Sequence, residues 1–98
     1  LNIYPVEVEE VINSHPNVLE SAVIGVSDKC FGEAVKAFVV LKDSIKVSDN
    51  EIIKYCKQKI ASYKKPKYVE FIDALPRNSM GKVQKNVLRE REVKVIKE

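Results

Sequence analysis

The sequence predicts an α+β fold in which a sheet of about three strands packs against about three helices. Two segments carry apolar residues at helical spacing, and two neighbouring Val-rich runs are joined by a short loop. A third apolar run follows the second helical segment. The length of 98 residues allows one small domain with a modest core.

The first helix is predicted to begin at Pro5, because proline fits the first turn, where its missing N–H costs no hydrogen bond. Val8 and Ile12 follow at helical spacing. The helix is expected to end near residues 13–14, since Pro16 cannot continue it.

Two apolar runs come next, residues 21–26 and residues 34–41, and both are predicted strands. The connection between them, residues 27–33, is short. Short connections favour antiparallel neighbours, so the two runs are expected to form a hairpin.

The second helix is predicted to open with a capping box, Ser-Asp-Asn-Glu at residues 48–51. Ile52, Cys56 and Ile60 recur every four residues and indicate its buried face. Core packing is therefore the expected role of Cys56.

Pro66 is predicted to end this helical stretch and to hold Lys65 in an extended conformation. Val69 and Phe71 then mark a third strand. A strand, a helix and a strand in succession permit a crossover, which is right-handed if the strands are parallel.

A short last helix is predicted from Val83, Val87 and Leu88, with fraying from Glu92 onward. Its expected exposed residues are Lys85, Arg89 and Arg91.

The composition, with 45% hydrophobic and 32% charged residues, is typical of a soluble globular domain. No apolar run approaches the ~20 residues of a membrane span, and no signal peptide is visible. Cys30 and Cys56 lack metal-type spacing, which predicts reduced thiols in a cytoplasmic protein and no metal site. His15, the single histidine, is expected to face solvent or to cap a helix end.

The charge is unevenly distributed along the chain. Residues 1–50 hold four Lys/Arg and eight Asp/Glu, whereas residues 51–98 hold thirteen Lys/Arg and six Asp/Glu. The basic half is consistent with an anionic partner, or with a solvated lysine-rich surface.

Residues 75–85, Leu-Pro-Arg-Asn-Ser-Met-Gly-Lys-Val-Gln-Lys, are the most informative stretch. Gly81 lets the backbone turn in conformations that other residues avoid. Lys82 is then expected to project a flexible point charge from a mobile loop, an arrangement suited to neutralising an anion.

This stretch resembles the C-terminal catalytic-lysine motif of the adenylate-forming enzymes, the superfamily of acyl-CoA synthetases and adenylation domains. Residues 2–11 resemble the segment after the hinge of acyl-CoA ligases. Residues 23–28 and the pair Gly32-Glu33 resemble the family's core hairpin. Residues 62–67, Ser-Tyr-Lys-Lys-Pro-Lys, resemble its aromatic-basic-proline segment. The four motifs occur in the family's order over nearly the whole chain.

The resemblance implies that residues 1–98 are the C-terminal lid domain of an AMP-forming acyl-CoA synthetase of the fatty-acid or aryl-CoA ligase type. The whole enzyme would convert a carboxylic acid and ATP into an acyl-adenylate and transfer the acyl group to CoA. ATP, its Mg²⁺ and the acid would bind an N-terminal domain outside these residues. The domain's expected partners are that N-terminal domain, CoA and the acyl-adenylate, and the isolated chain is expected to be inactive and to hold no cofactor.

The resemblance also implies roles for five residues. Lys82 would bridge the acyl carboxylate and the α-phosphate of ATP during adenylation. The expected CoA-side residues are Lys65, Tyr63, Phe31 and Asn2. Lys65 would neutralise the 3′-phosphate in place of an arginine found in some relatives.

Each of these residues also has a purely structural interpretation. Lys82 could be a surface lysine, Tyr63 a cap on the core and Phe31 a satellite core residue. Two other functions fit parts of the pattern: an adenylation domain that loads a carrier protein, and a small basic nucleic-acid-binding module. The second lacks an RNP-type aromatic motif and a Gly-X-X-Gly clamp, so no nucleic-acid partner is predicted.

Overall fold

The fold is an α+β arrangement of three helices and a three-stranded sheet, as predicted. The computed structural model describes residues 4–28, 32–43 and 45–97, apart from the side chains of Tyr63 and residues 93–97. Its elements, in chain order, are α1 (Pro5–Asn13), β1 (Val18–Asp28), β2 (Gly32–Leu41), α2 (Asp49–Lys59), a 3₁₀ helix (Ser62–Lys64), β3 (Tyr68–Phe71) and α3 (Lys85–Lys97).

Strand β2 lies at the centre of the sheet. It pairs antiparallel with β1, from Val18 opposite Leu41 to Asp28 opposite Gly32. It pairs parallel with β3, from Lys36 opposite Tyr68 to Val39 opposite Phe71. The predicted hairpin and crossover are thus confirmed.

Strand β1 is longer than the predicted residues 21–26. Its pairing with β2 is irregular between Val18 and Glu20, and Leu19 at the irregularity is 61% exposed. An exposed leucine breaks the apolar–polar alternation typical of a strand. The sequence pattern therefore did not predict the first residues of β1.

Each face of the sheet carries its own apolar cluster, because successive strand residues point to opposite faces. The first cluster joins α1 and α2 to the sheet; it contains Val8, Ile12, Val23, Val35, Ala37, Val39, Ile52 and Cys56. The second lies under α3; it contains Ala22, Ile24, Phe38, Val40, Leu75 and Leu88. The sheet is therefore the middle layer of three.

The core role predicted for Cys56 is confirmed. Its side chain is fully buried, and burial raises the pKa of the thiol to about 11. Cys30 lies outside the described residues.

The predicted capping box is half formed. Ser48 Oγ accepts a hydrogen bond from the Glu51 backbone N–H at 3.1 Å. The Glu51 carboxylate lies 3.0 Å from His15 Nε2 instead of returning to the cap.

The solvent-facing alternative for His15 is wrong, since its side chain is 6% exposed. The capping alternative agrees with the structure, because Nδ1 accepts a hydrogen bond from Asn17 N–H at 3.1 Å just after α1. Tyr55 packs edge-on against the imidazole, with ring centroids 4.8 Å apart. His15 therefore joins the end of α1 to α2.

Helix α3 extends to Lys97, and the fraying predicted from Glu92 onward stays a prediction. Val83 precedes this helix, and Lys85 pairs with Glu9 instead of lying exposed. The Glu92 carboxylate forms an ion pair with Lys36 of β2. This ion pair stabilises the helical turn around Glu92, for which the local sequence carries no helix signal.

No helix among residues 4–28, 32–43 and 45–97 combines the length and apolarity needed to cross a bilayer. The same residues contain no cluster of three His, Cys, Asp or Glu side chains suited to a metal ion.

Candidate functional site

Residues 76–84, here called the lysine turn, form a small hairpin-like loop before α3. Arg77 and Val83 face each other in an antiparallel bridge. Gln84 N–H donates to the Pro76 carbonyl at 2.8 Å, and Asn78 N–H donates to the Lys82 carbonyl at 3.0 Å. The two sides of the turn are therefore tied together by their own backbone.

Asn78 organises the tip of the lysine turn. Its side-chain Oδ1 accepts hydrogen bonds from Met80 N–H at 2.9 Å and from Lys82 N–H at 3.0 Å. Its carbonyl accepts one from Gly81 N–H at 2.9 Å. An asparagine that bonds the backbone two residues onward is a recognised turn-forming device.

Gly81 supplies the backbone conformation that closes this turn. Its φ is +82°, in the left-handed region that glycine enters at little cost. An added Cβ would meet no atom within 4 Å, so backbone handedness, not space, is what requires glycine.

The backbone of Lys82 is held by hydrogen bonds, whereas its side chain is exposed. Asn78 holds both its N–H and its carbonyl. Among the described residues no carboxylate pairs with its ammonium group. Backbone and side-chain hydrogen bonds therefore brace the turn around Lys82.

One ion pair joins the lysine turn to β1, and a second joins the first residue of α3 to α1. Within the turn, Arg77 Nη1 donates to the Gly81 carbonyl at 2.7 Å, and Nη2 pairs with Glu20 of β1. Just after the turn, Lys85 Nζ lies 2.7 Å from the Glu9 carboxylate of α1.

Residues 62–67, here called the basic segment, include the 3₁₀ helix that follows α2. Lys64 Nζ lies 3.0 Å from Glu7 near the start of α1. Lys67 Nζ lies 2.6 Å from Asp28 at the end of β1, whose side chain is only 2% exposed. Two of its lysines therefore have carboxylate partners.

Lys65 differs from these neighbours. It is half-buried and adopts the extended conformation expected before proline, with φ −65° and ψ 150°. Pro66 beside it is buried. No ion pair of Lys65 occurs in the described part of the chain, so its charge is available to an external anion.

The structure describes the other CoA-side candidates only in part. Asn2 and Phe31 lie outside the described residues, and Tyr63 is placed in the 3₁₀ helix by its backbone alone. Their roles stay predictions. The Lys64–Glu7 and Lys67–Asp28 pairs do bring the basic segment to the start of α1 and to the β1 end of the hairpin.

The lysine turn and the basic segment contact opposite ends of β1. The turn is joined to Glu20, and the segment is joined to Asp28. At ~3.3 Å per strand residue, these two anchor positions are separated by roughly 25 Å. The two candidate sites are therefore distinct, and one rigid sheet connects them.

A family model described as the AMP-binding enzyme C-terminal domain matches residues 7–82. The chain belongs to this family. The match ends on Lys82 and includes the basic segment, so Lys82 and residues 62–67 both lie inside the matched region.

Curated relatives resemble this domain over nearly all of the chain. A long-chain-fatty-acid–CoA ligase of Yersinia pestis is 49% identical over 94 residues, which cover 96% of the chain and 16% of the relative. The FadD13 long-chain-fatty-acid–CoA ligase of Mycobacterium tuberculosis is 48% identical, over 91% of the chain and 18% of the relative. The chain thus spans less than a fifth of their length.

Solved structures agree on the fold. ATP-bound MatB from Rhodopseudomonas palustris superposes with a TM-score of 0.89 at 47% identity, covering 93% of the chain and 18% of that structure. The o-succinylbenzoate CoA synthetase of Bacillus subtilis, solved with a product analogue, has a TM-score of 0.83 at 44% identity, over 94% of the chain and 19% of that structure.

Sequence reasoning missed the residues that hold the lysine turn. Asn78, three residues before Gly81, carried a readable signal, because asparagine and glycine both favour turns. Glu20 carried none, because its partner Arg77 lies 57 residues away in the chain.

Proposed function

We propose that this domain serves an AMP-forming acyl-CoA ligase, in which Lys82 takes part in forming the acyl-adenylate. The supporting observation is the state of Lys82: its backbone is held on both sides by Asn78, while its ammonium group is exposed and has no carboxylate partner among the described residues. A cation in this state can be presented to an anionic reaction centre in another domain.

The proposed first half-reaction joins two anions. An oxygen of the substrate carboxylate attacks the α-phosphorus of ATP, the bond to the bridging oxygen breaks, and pyrophosphate leaves. Negative charge accumulates between the carboxylate and the α-phosphate during this step. The ammonium of Lys82, placed between them, would stabilise that charge.

The proposed second half-reaction uses the basic segment. The CoA sulfur attacks the acyl carbonyl, and the bond to AMP breaks. Lys65 would neutralise the 3′-phosphate of CoA, since Glu7 and Asp28 already engage the lysines on either side of it. Tyr63, Phe31 and Asn2 are proposed to line the same CoA side.

The two candidate sites contact opposite ends of β1, which supports their use one after the other. The domain would present the lysine turn to an N-terminal domain for adenylation and then reorient to present the basic segment. That N-terminal domain is the proposed partner, and it would bind ATP, Mg²⁺ and the acid. A cytoplasmic location is also proposed, on the basis of the expected reduced cysteines.

CoA is proposed as the acyl acceptor rather than a carrier protein. The two curated relatives and the o-succinylbenzoate enzyme described above carry CoA ligase or CoA synthetase names. Residues 2–5, Asn-Ile-Tyr-Pro, also resemble the CoA ligases more than the carrier-loading domains. The acids in those names differ, so the proposal is limited to a carboxylic acid.

Replacing Lys82 by alanine in the full-length enzyme tests the proposal. Pyrophosphate-coupled adenylate formation should fall on the order of 10²-fold, as when a charge-stabilising group is removed. Thioester formation from supplied acyl-adenylate should stay near the parent rate. The control is Lys46→Ala, which removes another exposed lysine. Equal losses in the two half-reactions would refute the proposed role.

A further inference from the structure

Arg77 contacts both the tip of the lysine turn and the sheet through one guanidinium group. Nη1 donates to the Gly81 carbonyl at 2.7 Å. Nη2 pairs with the Glu20 carboxylate of β1. The Gly81 carbonyl belongs to the peptide unit that leads into Lys82.

The bonds of Asn78 cannot supply this connection. They join Asn78 to Met80, Gly81 and Lys82, all inside the turn. Such bonds fix the shape of the turn but leave its position on the domain undetermined. A fixed position requires contacts that leave the turn. Val83 packs against the second apolar cluster, and Arg77 adds a polar contact at the carbonyl beside Lys82.

Arginine suits this role because its planar guanidinium carries several donors in a fixed geometry. A lysine has one ammonium on a flexible stem and would not hold both partners at the same angles. Glu20 is 29% exposed and is itself held on a paired strand, so it offers a rigid anchor.

We propose that Arg77 and Glu20 are positioning residues for Lys82: they hold the turn against β1 so that the ammonium group reaches the reacting carboxylate and phosphate. The inference rests on the proposed function of Lys82. It adds that the adenylation rate depends on a side chain that touches neither substrate nor the Lys82 ammonium group.

The test measures both half-reactions in the full-length enzyme, with Arg77→Met, Arg77→Lys and Glu20→Gln. Arg77→Met should lower kcat of adenylation roughly 10-fold, because small displacements of a catalytic group are costly. KM for ATP and the acid should change little, and thioester formation from supplied acyl-adenylate should be spared. Arg77→Lys should lose less, and Glu20→Gln should resemble it.

Arg91→Met is the matched control. Arg91 also pairs with a glutamate, Glu70, and its side chain is 52% exposed, against 42% for Arg77. It makes no contact with the lysine turn among the described residues. Adenylation by Arg91→Met should equal that of the parent, and the melting temperatures of the two arginine variants should match.

The decisive measurement repeats Arg77→Met in the Lys82→Ala background. A positioning residue acts through Lys82, so the second substitution should cause no further loss. A full additional loss, or an equal loss in thioester formation, would overturn the inference while leaving the role of Lys82 intact. A Lys82→Ala enzyme with parental adenylation would instead refute the proposed function itself.

Discussion

Lys65 is distinguished from its neighbours by what surrounds its charge. Lys64 and Lys67 each contact a carboxylate, whereas Lys65 has none within the described residues. A chain segment with three lysines thus offers one charge that is not already engaged. Sequence alone assigns the three lysines the same formal charge, and the fold makes them different.

Lys65→Glu should therefore raise the apparent KM for CoA and leave adenylation nearly unchanged. A half-buried, solvent-accessible contact is worth about 1 kcal/mol or less, which is roughly fivefold in affinity. Charge reversal adds repulsion, so the effect should exceed that of Lys65→Ala. It should also weaken as salt concentration rises.

Dephospho-CoA provides the control for this variant, because it lacks the 3′-phosphate. The parent enzyme should prefer CoA, and Lys65→Glu should lose that preference. Lys46→Glu, at another exposed lysine, should keep it. A Lys65→Glu enzyme that discriminates as the parent does would show that Lys65 does not bind the 3′-phosphate.

At the level of elements, α3 is held on the sheet by a partly buried ion-pair cluster as well as by Leu88. Lys36 of β2 contacts Glu70 and Glu92, and Arg91 contacts Glu70 from the helix. Burial disfavours the charge of Lys36, but hydrogen bonds to Glu92 and Glu70 outweigh this cost and raise its pKa above 10.5.

Lys36→Met should loosen α3, because it leaves Glu92, 14% exposed, without its cation. The expected cost is about 1–2 kcal/mol, below that of a fully buried pair. Amide hydrogen exchange in α3 should accelerate, with little change in α1. Arg91→Met, at an exposed pair, should cost under ~0.5 kcal/mol.

The pH dependence of this effect has a definite sign. Because the folded-state pKa of Lys36 is raised, its stabilisation is complete below 10.5 and is lost as pH rises through the folded-state value. The difference in unfolding free energy between parent and Lys36→Met should shrink above pH 10.5. A difference that grows with pH would contradict this account.

Local patterns predicted the elements well and their tertiary contacts poorly. Helix α1, the hairpin and the start of α2 follow from proline, alternation and capping signals. Glu92 of α3 pairs with Lys36 of β2, and the buried His15 contacts Glu51, 36 residues away in the chain. The motifs located Lys82 and Lys65, but contacts distant in the chain determine how each is held.

On the scale of the whole molecule, the domain presents the Lys82 cation on an exposed turn. Lys82, Gly81 and Met80 are all exposed, and Met80 is 91% exposed. A groove at the carboxyl ends of β2 and β3 is lined by Leu41, Asp43 and other residues, but not by Lys82.

The isolated chain should therefore show no ATP–pyrophosphate exchange above background. Added to a separately produced N-terminal domain, it should restore part of the adenylation activity. The same chain carrying Lys82→Ala is the matched control and should restore none. Exchange by the isolated chain alone would contradict the proposed division of labour.

The attachment of the two candidate sites to opposite ends of β1 has a consequence for the lifetime of the intermediate. A stiff strand cannot bring both ends to one reaction centre at once, so under the proposed function the two half-reactions exclude each other in time. The acyl-adenylate, a mixed anhydride, would then have to survive hydrolysis while the domain swings round. The fraction of ATP that is consumed without forming a thioester would then depend on how well the enzyme retains this intermediate, more than on the rate of either chemical step.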